Sequence, residues 1–318
     1  MTILASPWAL RQQGVVGMNR RNFELVGAHN DRKAYPLVDN KLFTKRLAAK
    51  AGIPMPELLG ELSRQFEVEK ISERIHNLDK FVIKPAQGSG GRGILVIHGR
   101  DNDHYLKSSG EPVSTAEIKR LLTNIISGLY SLGGRTDSAI IESLIVASEM
   151  FANISIGGVP DIRVVVFQGY PIMAMLRLGT LKSEGKANLH QGGIGVGIDL
   201  RTGTSLGAVQ HNRRITHHPD SGASLDDIHI PDWASLLALA CRCFDATNLG
   251  YLGCDIVMDA KAGPLLLEMN ARPGLAIQIA NDCGLEPRLR SVRRRIAFAP
   301  SVDERVAFAL DGLGGAIP

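Results

Sequence analysis

The segment Pro264-Leu-Leu-Leu-Glu268-Met-Asn270-Ala-Arg272-Pro-Gly274 runs an apolar strand straight into polar chemistry. Side chains alternate faces along a strand, so Leu266, Glu268, Asn270 and Arg272 are expected to point one way and Leu265, Leu267 and Met269 the other. Pro273-Gly274 stops the strand. An acid and an amide two residues apart, presented together at a strand end, suit a hard divalent cation that takes oxygen ligands.

A second acid precedes this segment. Tyr251 to Met258 reads as a strand containing Gly253-Cys-Asp255, and Asp259-Ala-Lys-Ala-Gly263 turns the chain back. The two strands are then antiparallel neighbours, and Asp255, Glu268 and Asn270 converge on one face at cross-strand distances of about 5 Å. Oxygen donors without His or Cys suit Mg²⁺ or Mn²⁺ and argue against zinc. The bland alternative is an edge hairpin with solvated acids, but Asp255 lies amid apolar residues, where an unpaired charge is costly.

Other segments carry matching chemistry. Phe81-Val-Ile-Lys84-Pro is a short strand, followed by Gly88-Ser89-Gly90-Gly91-Arg-Gly93 and a strand from Ile94 to Ile97. Glycines let backbone N–H groups crowd around phosphate oxygens, and a lysine adds a point charge. A merely structural glycine hairpin has the same appearance. Neither a Walker A loop nor a dinucleotide fingerprint fits, because the glycines lead into a strand. Arg163 shares a strand face with Val165 and Phe167, and Arg177 with Met173 and Met175. Arginines on apolar faces want anionic partners, either internal acids or a bound phosphate. Asn188-Leu-His190-Gln-Gly-Gly193 places an amide, an imidazole and glycines in a polar stretch, Leu181 to Gly197, expected to be a mobile loop.

Around these, helices are expected from Asn40 to Ala51, from Ser114 to about Tyr130 behind a capping box, and from Trp233 to Thr247 capped by Asp232. Strands are expected at Ala139–Val146, Asp161–Phe167 and Tyr170–Leu178, the last two joined by a Gln168-Gly169 turn. Hairpins outnumber strand–helix–strand units, so an α+β fold with antiparallel sheets is favoured over a doubly wound parallel sheet. The 318 residues, 44% hydrophobic, suffice for one large or two modest domains. The net charge of +4 suits an anionic substrate without demanding nucleic acid, and the arginine-rich run Arg288 to Arg295 has no interleaved aromatics. Cys241, Cys243, Cys254 and Cys283 form no metal or disulfide pattern and read as buried free thiols of a reducing, cytoplasmic protein. The N-terminus is a poor signal peptide and no run is long enough to span a membrane, so no membrane partner is expected.

Taken in order, these pieces resemble the ATP-grasp superfamily, and within it the RimK-like branch of α-L-glutamate ligases and their related proteins. The match covers roughly Asp39 to Gly284 and rests on Asn40-Lys41, Phe81-Val-Ile-Lys84-Pro, Gly88 to Gly93, Ile141-Glu142-Ser-Leu-Ile145, Asp161-Ile-Arg163, Met175-Leu-Arg177, Asn188 to Gly193, Gly253-Cys-Asp255 and Leu267 to Gly274. The resemblance implies an ATP-grasp fold with two α+β subdomains gripping ATP, about 39–140 and 141–285, flanked by a short N-terminal segment, 1–38, in place of most of the pre-grasp domain, and a basic extension, 286–318. It implies that Lys41 and Lys84 touch ATP phosphates beneath the Gly88–Gly93 lid. Glu142, Ser143 and Leu144 would line the adenine hinge, and Glu149 would hold the ribose. Asp255, Glu268 and Asn270 would hold two Mg²⁺ ions, and Arg177, Arg163 and Asn188 would stabilise the transferring phosphoryl group.

The implied activity is ATP-dependent carboxylate–amine ligation through an acyl phosphate, on an amino acid or peptide. The alternatives are a phosphotransferase without an amine acceptor and a non-catalytic nucleotide-binding regulator. Two departures qualify the resemblance. With 40 residues ahead of Lys41, the acceptor site is either open or completed by a second copy or a partner subunit. Arg272 stands where the glutamate ligases commonly carry serine. It could clamp a substrate carboxylate, with His190 nearby in role, or simply secure the turn.

Overall fold

The computed structural model describes residues 6–88, 90–102, 104–131, 133–295 and 300–317. The chain divides into two units, one of residues 39–46 and 55–145, the other of the remainder.

In the smaller unit a four-stranded antiparallel sheet is built from β1 (Leu58–Leu62), β2 (Phe81–Pro85), β3 (Leu95–Ile97) and β7 (Ala139–Ser143), in the order β1-β7-β2-β3. The short strands β4 (Gly99–Asp101), β5 (His104–Leu106) and β6 (Pro112–Val113) form a separate ribbon. The helix Thr115–Ile126 starts at Ser114, whose hydroxyl and the Glu117 carboxylate complete the expected capping box. Its Ile118, Leu122 and Ile125 recur at helical spacing and pack with Phe81, Ile83 and Ile141 into one core. The helix Lys41–Lys50 opens where expected, with Asn40 Oδ1 accepting from the Leu42 and Phe43 amides.

The larger unit is organised by a seven-stranded antiparallel sheet in the order β12-β11-β10-β9-β8-β13-β14. Its strands are β8 (Asp161–Phe167), β9 (Tyr170–Leu178), β10 (Ile194–Ile198), β11 (Ser205–Gln210), β12 (Arg213–Ile215), β13 (Tyr251–Asp259) and β14 (Gly263–Asn270). Gln168 and Gly169, both in the left-handed region, make the tight turn between β8 and β9. Ile162, Val164, Ala174, Leu176 and Cys254 share one sheet face, as the register requires. The helix Trp233–Thr247 covers that face, with the Cys254 thiol directed at the Ala240 carbonyl at 3.9 Å. Cys241, Cys243 and Cys254 are buried, whereas Cys283 is only partly so, against the expectation of four buried thiols.

Three further expectations are corrected. Asp232 does not cap the helix through its side chain; it sits in the left-handed region and makes no side-chain cap bond. The stretch Leu181–Gly197 is not one loop, because its end is the buried strand β10 and its polar residues are fastened: Thr180 Oγ1 and Gln210 Nε2 both donate to the Gly192 carbonyl, at 3.0 and 2.8 Å. Alternation in β14 is broken by a bulge. Asp255 pairs with Glu268 but Ile256 pairs with Leu266, so Leu267 is the extra residue and Leu266 turns to the helix-covered face, away from Glu268.

Residues 6–38 and the described residues from 146 onward belong to the larger unit. Asn30 Nδ2 donates to the carbonyls of Tyr251 and Ala271 at 2.7 and 2.8 Å, and its Oδ1 accepts from the Tyr251 amide at 2.8 Å. Arg288, from the arginine-rich run, is buried and donates to the Ile172 carbonyl at 3.0 Å. Among the described residues no helix is long and apolar enough to cross a membrane.

Candidate active site

The larger unit gathers its charges on the sheet face opposite the helix Trp233–Thr247. Asp255 is opposite Glu268 on β14 and Arg163 on β8, while Arg177 on β9 is opposite Asp161. Residues directly opposite across antiparallel strands share a face, so register alone assembles three carboxylates and two guanidinium groups. Arg163 grips Asp255 bidentately, Nε to Oδ1 at 2.7 Å and Nη2 to Oδ2 at 2.6 Å. Arg177 bridges two acids, donating from Nε to Asp161 at 2.6 Å and from Nη2 to Asp255 at 2.7 Å. Asn270, two residues past Glu268, accepts the Arg272 amide on its Oδ1 at 2.8 Å.

Burial makes these charges matter. Asp255 is fully buried; burial pushes its carboxyl up, but Arg163 and Arg177 outweigh it and hold the group below the usual carboxylate range. Asp161 goes the other way. Burial, with the Asp255 charge adding, pushes it up to about 6 against the pull of Arg177. Burial opposes charge on Arg177, yet Asp161 and Asp255 hold its guanidinium firmly protonated. With all ionised, three carboxylates and two arginines leave a net charge of −1 on this face.

Sequence reasoning placed Arg163 and Arg177 on their strand faces and left their partners open; here both arginines hold internal acids. Asp161 was missed as a member, although it stands two residues before Arg163 and so shares its face. Among the described residues no group of three or more His, Cys, Asp and Glu is arranged to hold a metal ion. The expected set is instead two acids and an amide, with both Asp255 oxygens engaged by arginine.

The smaller unit carries the expected lysines. Lys84 on β2 is buried and ion-paired with Glu142 on β7, and Lys45 reaches the same carboxylate at 2.7 Å while also donating to the Pro56 carbonyl at 2.6 Å. Glu142 thus sits between two buried ammonium groups. Burial pushes the Lys45 amine down, with Glu142 opposing. Lys45 was not anticipated; its only sequence signal is its place one helical turn after Lys41. Lys41 donates from Nζ to the Gly88 carbonyl at 2.8 Å. A Cβ on Gly88 would meet Pro85 Cγ at 2.2 Å, so only glycine fits there. Gly90, Gly91 and Gly93 have left-handed backbone conformations, and Ser89 lies outside the described residues. The loop base is pinned by Asp137, also missed, which accepts from the Gln87 and Ser138 amides and the Ser131 hydroxyl. Ser143 pairs with Glu57 through backbone and side chain, and Leu144 follows the end of β7.

Of the remaining expected residues, all in the larger unit, Glu149 is exposed at the start of a 3₁₀ turn. Asn188 caps another, accepting the His190 amide at 3.0 Å. Arg272 lies over the Tyr35 ring, 5.2 Å from its centroid.

Comparison with known proteins gives this arrangement its context. A probable α-L-glutamate ligase from Parasynechococcus marenigrum (strain WH8102) is 22% identical over 257 residues, 80% of this chain, and the chain spans only 41% of that relative's length. Among solved structures, the ATP-grasp ligase PsnB complexed with minimal precursor is 15% identical with a TM-score of 0.45, covering 85% of this chain and 63% of its own. D-alanyl-alanine synthetase A from Vibrio cholerae is 11% identical with a TM-score of 0.47, covering 89% and 66%. The model of the sugar-transfer associated ATP-grasp family matches residues 20–294, spanning the lysines, the glycine loop and the acid–arginine face, and the chain belongs to that family.

Proposed function

We propose that this chain is an ATP-dependent carboxylate–amine ligase that works through an acyl phosphate, on an amino acid or peptide. The observation that carries the proposal is the row Glu268–Asp255–Arg163 beside Arg177–Asp161, in which three carboxylates and two guanidinium forks meet on one partly buried sheet face. Beyond the two acids that the arginines grip, Glu268 and Asn270 add a carboxylate and an amide along β14 as further oxygen donors. Phosphoryl transfer uses both halves of such a set: cations for the oxygens that gain charge, and hard oxygen donors for a divalent ion.

The donor set fits Mg²⁺, with Mn²⁺ as a substitute, in being all oxygen. Glu268 and Asn270 would hold it, and Asp255 would join by exchanging arginine hydrogen bonds for the ion. Bound there, the metal neutralises phosphate charge. Arg163 and Arg177, already charged and oriented by Asp255 and Asp161, would bind the transferring phosphoryl oxygens, with Asn188 as a neutral donor. Lys84 and Lys41 would bind nucleotide phosphates below Gly88–Gly93. In this reading Lys84 changes partner from Glu142 to phosphate, and Lys45 keeps Glu142 neutralised while it does so. Ser143, Leu144 and Glu149 would bind the nucleoside, and Arg272, stacked on Tyr35, would bind a substrate carboxylate.

A carboxylate resists attack because its charge is delocalised. Once phosphorylated it has a good leaving group, and an amine displaces phosphate through a tetrahedral intermediate whose oxyanion the arginines stabilise. The test is a panel of amino acids and dipeptides scored for amine-dependent phosphate release and for the amide product by mass spectrometry. Phosphate release that requires an amine and matches amide formation supports the ligase. A stable phosphorylated product formed without amine overturns it in favour of a phosphotransferase.

A further inference from the structure

A cavity of about 230 Å³ opens in the larger unit between the 3₁₀ turn Leu189–Gln191, the β11–β12 hairpin and the helix Ile277–Ala280. His190, His211 and Asn212 meet Leu189, Val209 and Ile279 in its wall. His211 and Asn212 are the two turn residues between β11 and β12, and both have positive φ, 48° and 61°. Such a turn favours Gly, Asn or Asp, so a histidine at its first position is not there for backbone reasons.

Register ties this cavity to the acid–arginine face. Val209 is opposite Gly195, Gly195 is opposite Arg177, and Arg177 is opposite Asp161. All four therefore stand in one row on the same sheet face, and with strands about 4.8 Å apart the cavity begins about two strands from Arg177. The glycines of β10 make room for what covers that row. A Cβ on Gly195 would meet Leu189 Cδ2 at 2.8 Å, and one on Gly197 the Ala280 carbonyl at 2.4 Å. The wall of the cavity is thus pressed onto the strand next to Arg177.

We infer that this cavity is the amine-acceptor site, that it takes a small amine of low basicity, of the α-amine class, and that the His190–His211 pair receives its proton. The inference rests on the ligase reading of the acid–arginine face. The volume lies below the range of about 300–1,000 Å³ typical of drug-sized ligands and suits a small amine. Among the described residues that line the wall, the two imidazoles are the only titratable groups and none is a carboxylate that could hold an ammonium ion. The nucleophile must enter neutral or lose its proton there. With an amine pKa of about 8, on the order of a tenth of α-amines are neutral at pH 7, against fewer than about one in a thousand lysine-type amines. In the step, the amine nitrogen bonds to the acyl carbon and the carbon–oxygen bond to phosphate breaks. Phosphate leaves with the electron pair, and the surplus proton on nitrogen passes to imidazole.

Two measurements on the full chain test this. In the first, glycinamide and n-butylamine are titrated at millimolar concentration while the imidazole Hε1 resonances are followed by NMR. A saturable shift of His190 and His211 with glycinamide, absent with n-butylamine and lost in Val209→Trp, is expected. Ile279→Trp, at the partly exposed rim, serves if Val209→Trp does not fold. A shift that does not saturate, or that survives both variants, overturns the assignment. In the second, the carboxylate panel with ATP is run with glycinamide or with hydroxylamine, a nucleophile that traps acyl phosphate without needing a base. In His190→Ala and His211→Ala the ratio of amide to hydroxamate is expected to fall by about a hundredfold. An unchanged ratio overturns the proton-acceptor role. Saturable glycinamide binding without any amide or hydroxamate supports the cavity and overturns the ligase reading.

Discussion

Replacing Glu142 by glutamine keeps the shape of the side chain and removes the charge that two buried lysines share. The side chains of Lys45 and Lys84 are only 4% and 6% exposed, and Glu142 is 3% exposed. Breaking a buried ion pair by removing one partner costs about 3–5 kcal/mol, because the charge left behind is neither hydrated nor paired. With a urea m-value of about 2 kcal/mol/M, a loss of about 4 kcal/mol moves the midpoint down by roughly 2 M. Lys45→Met makes the control. It leaves one carboxylate facing one ammonium, a neutral pair, and its cost, set by the Pro56 carbonyl that loses its donor, is expected at about 1–3 kcal/mol, below that of Glu142→Gln. The pH dependence adds a second signature. Burial pushes the Lys45 amine down and Glu142 opposes this, so the glutamine variant lowers it further. A lysine that releases its proton more readily folded than unfolded makes stability rise with pH between its folded and its ordinary value. The deficit of Glu142→Gln is therefore expected to shrink as pH rises toward 10. Urea titrations of both variants at neutral and alkaline pH decide the matter. A midpoint loss under about 0.5 M for Glu142→Gln, or one equal to that of Lys45→Met, would refute the reasoning.

Asp161→Asn is expected to remove a fall in stability between about pH 4 and pH 6. The folded carboxyl, raised from 3.8 to about 6, keeps its proton where the unfolded one has lost it, so stability drops as pH rises through that window. At about 1.36 kcal/mol per pH unit this amounts to about 3 kcal/mol, read by urea titration across the window, and an unchanged profile refutes it. Asp255 has the opposite sign: held low by its arginines, it contributes stability that is lost below its ordinary value, so Asp255→Asn flattens the acid limb below about pH 4. Glu268→Ala is expected to abolish ATP turnover with the circular dichroism spectrum intact, and undiminished turnover removes the metal assignment. Arg272→Ala should raise the KM for the carboxylate substrate more than that for ATP; an unchanged substrate KM leaves Arg272 as a brace on Tyr35.

The parts of the fold legible in the sequence were those set by local periodicity. Asp161–Phe167 and Tyr170–Leu178 have their expected bounds, since their faces alternate and Gln168-Gly169 is a strong turn between them. The convergence of Asp255 with Glu268 followed from one short hairpin. What was hidden depends on residues far apart in the chain. The bulge at Leu267 answers to packing of Leu266 beneath the sheet. Strand β10 reads as loop in the sequence because Gly195 and Gly197 depress strand propensity, yet these glycines mark where Leu189 and Ala280 lie on the sheet. Nothing local marks Lys45 as buried, because the carboxylate it meets, Glu142, is about a hundred residues away. Asp161 was visible as a motif, but that its partner is Arg177 and that burial raises its carboxyl emerge only when β8 and β9 pair.

The buried thiols offer a different use of the same sheet. Cys241 and Cys243 on the helix Trp233–Thr247 and Cys254 beneath it lie on the face that backs the acid–arginine row. Burial pushes the Cys241 thiol up to about 12, so in the closed protein it is both hidden and almost wholly un-ionised. Alkylation there waits for the helix to lift from the sheet, and its rate at a given pH counts those openings. Mass spectrometry of labelled Cys241, with and without nucleotide, would turn this patch into a native stopwatch for how tightly the floor of the candidate active site is shut.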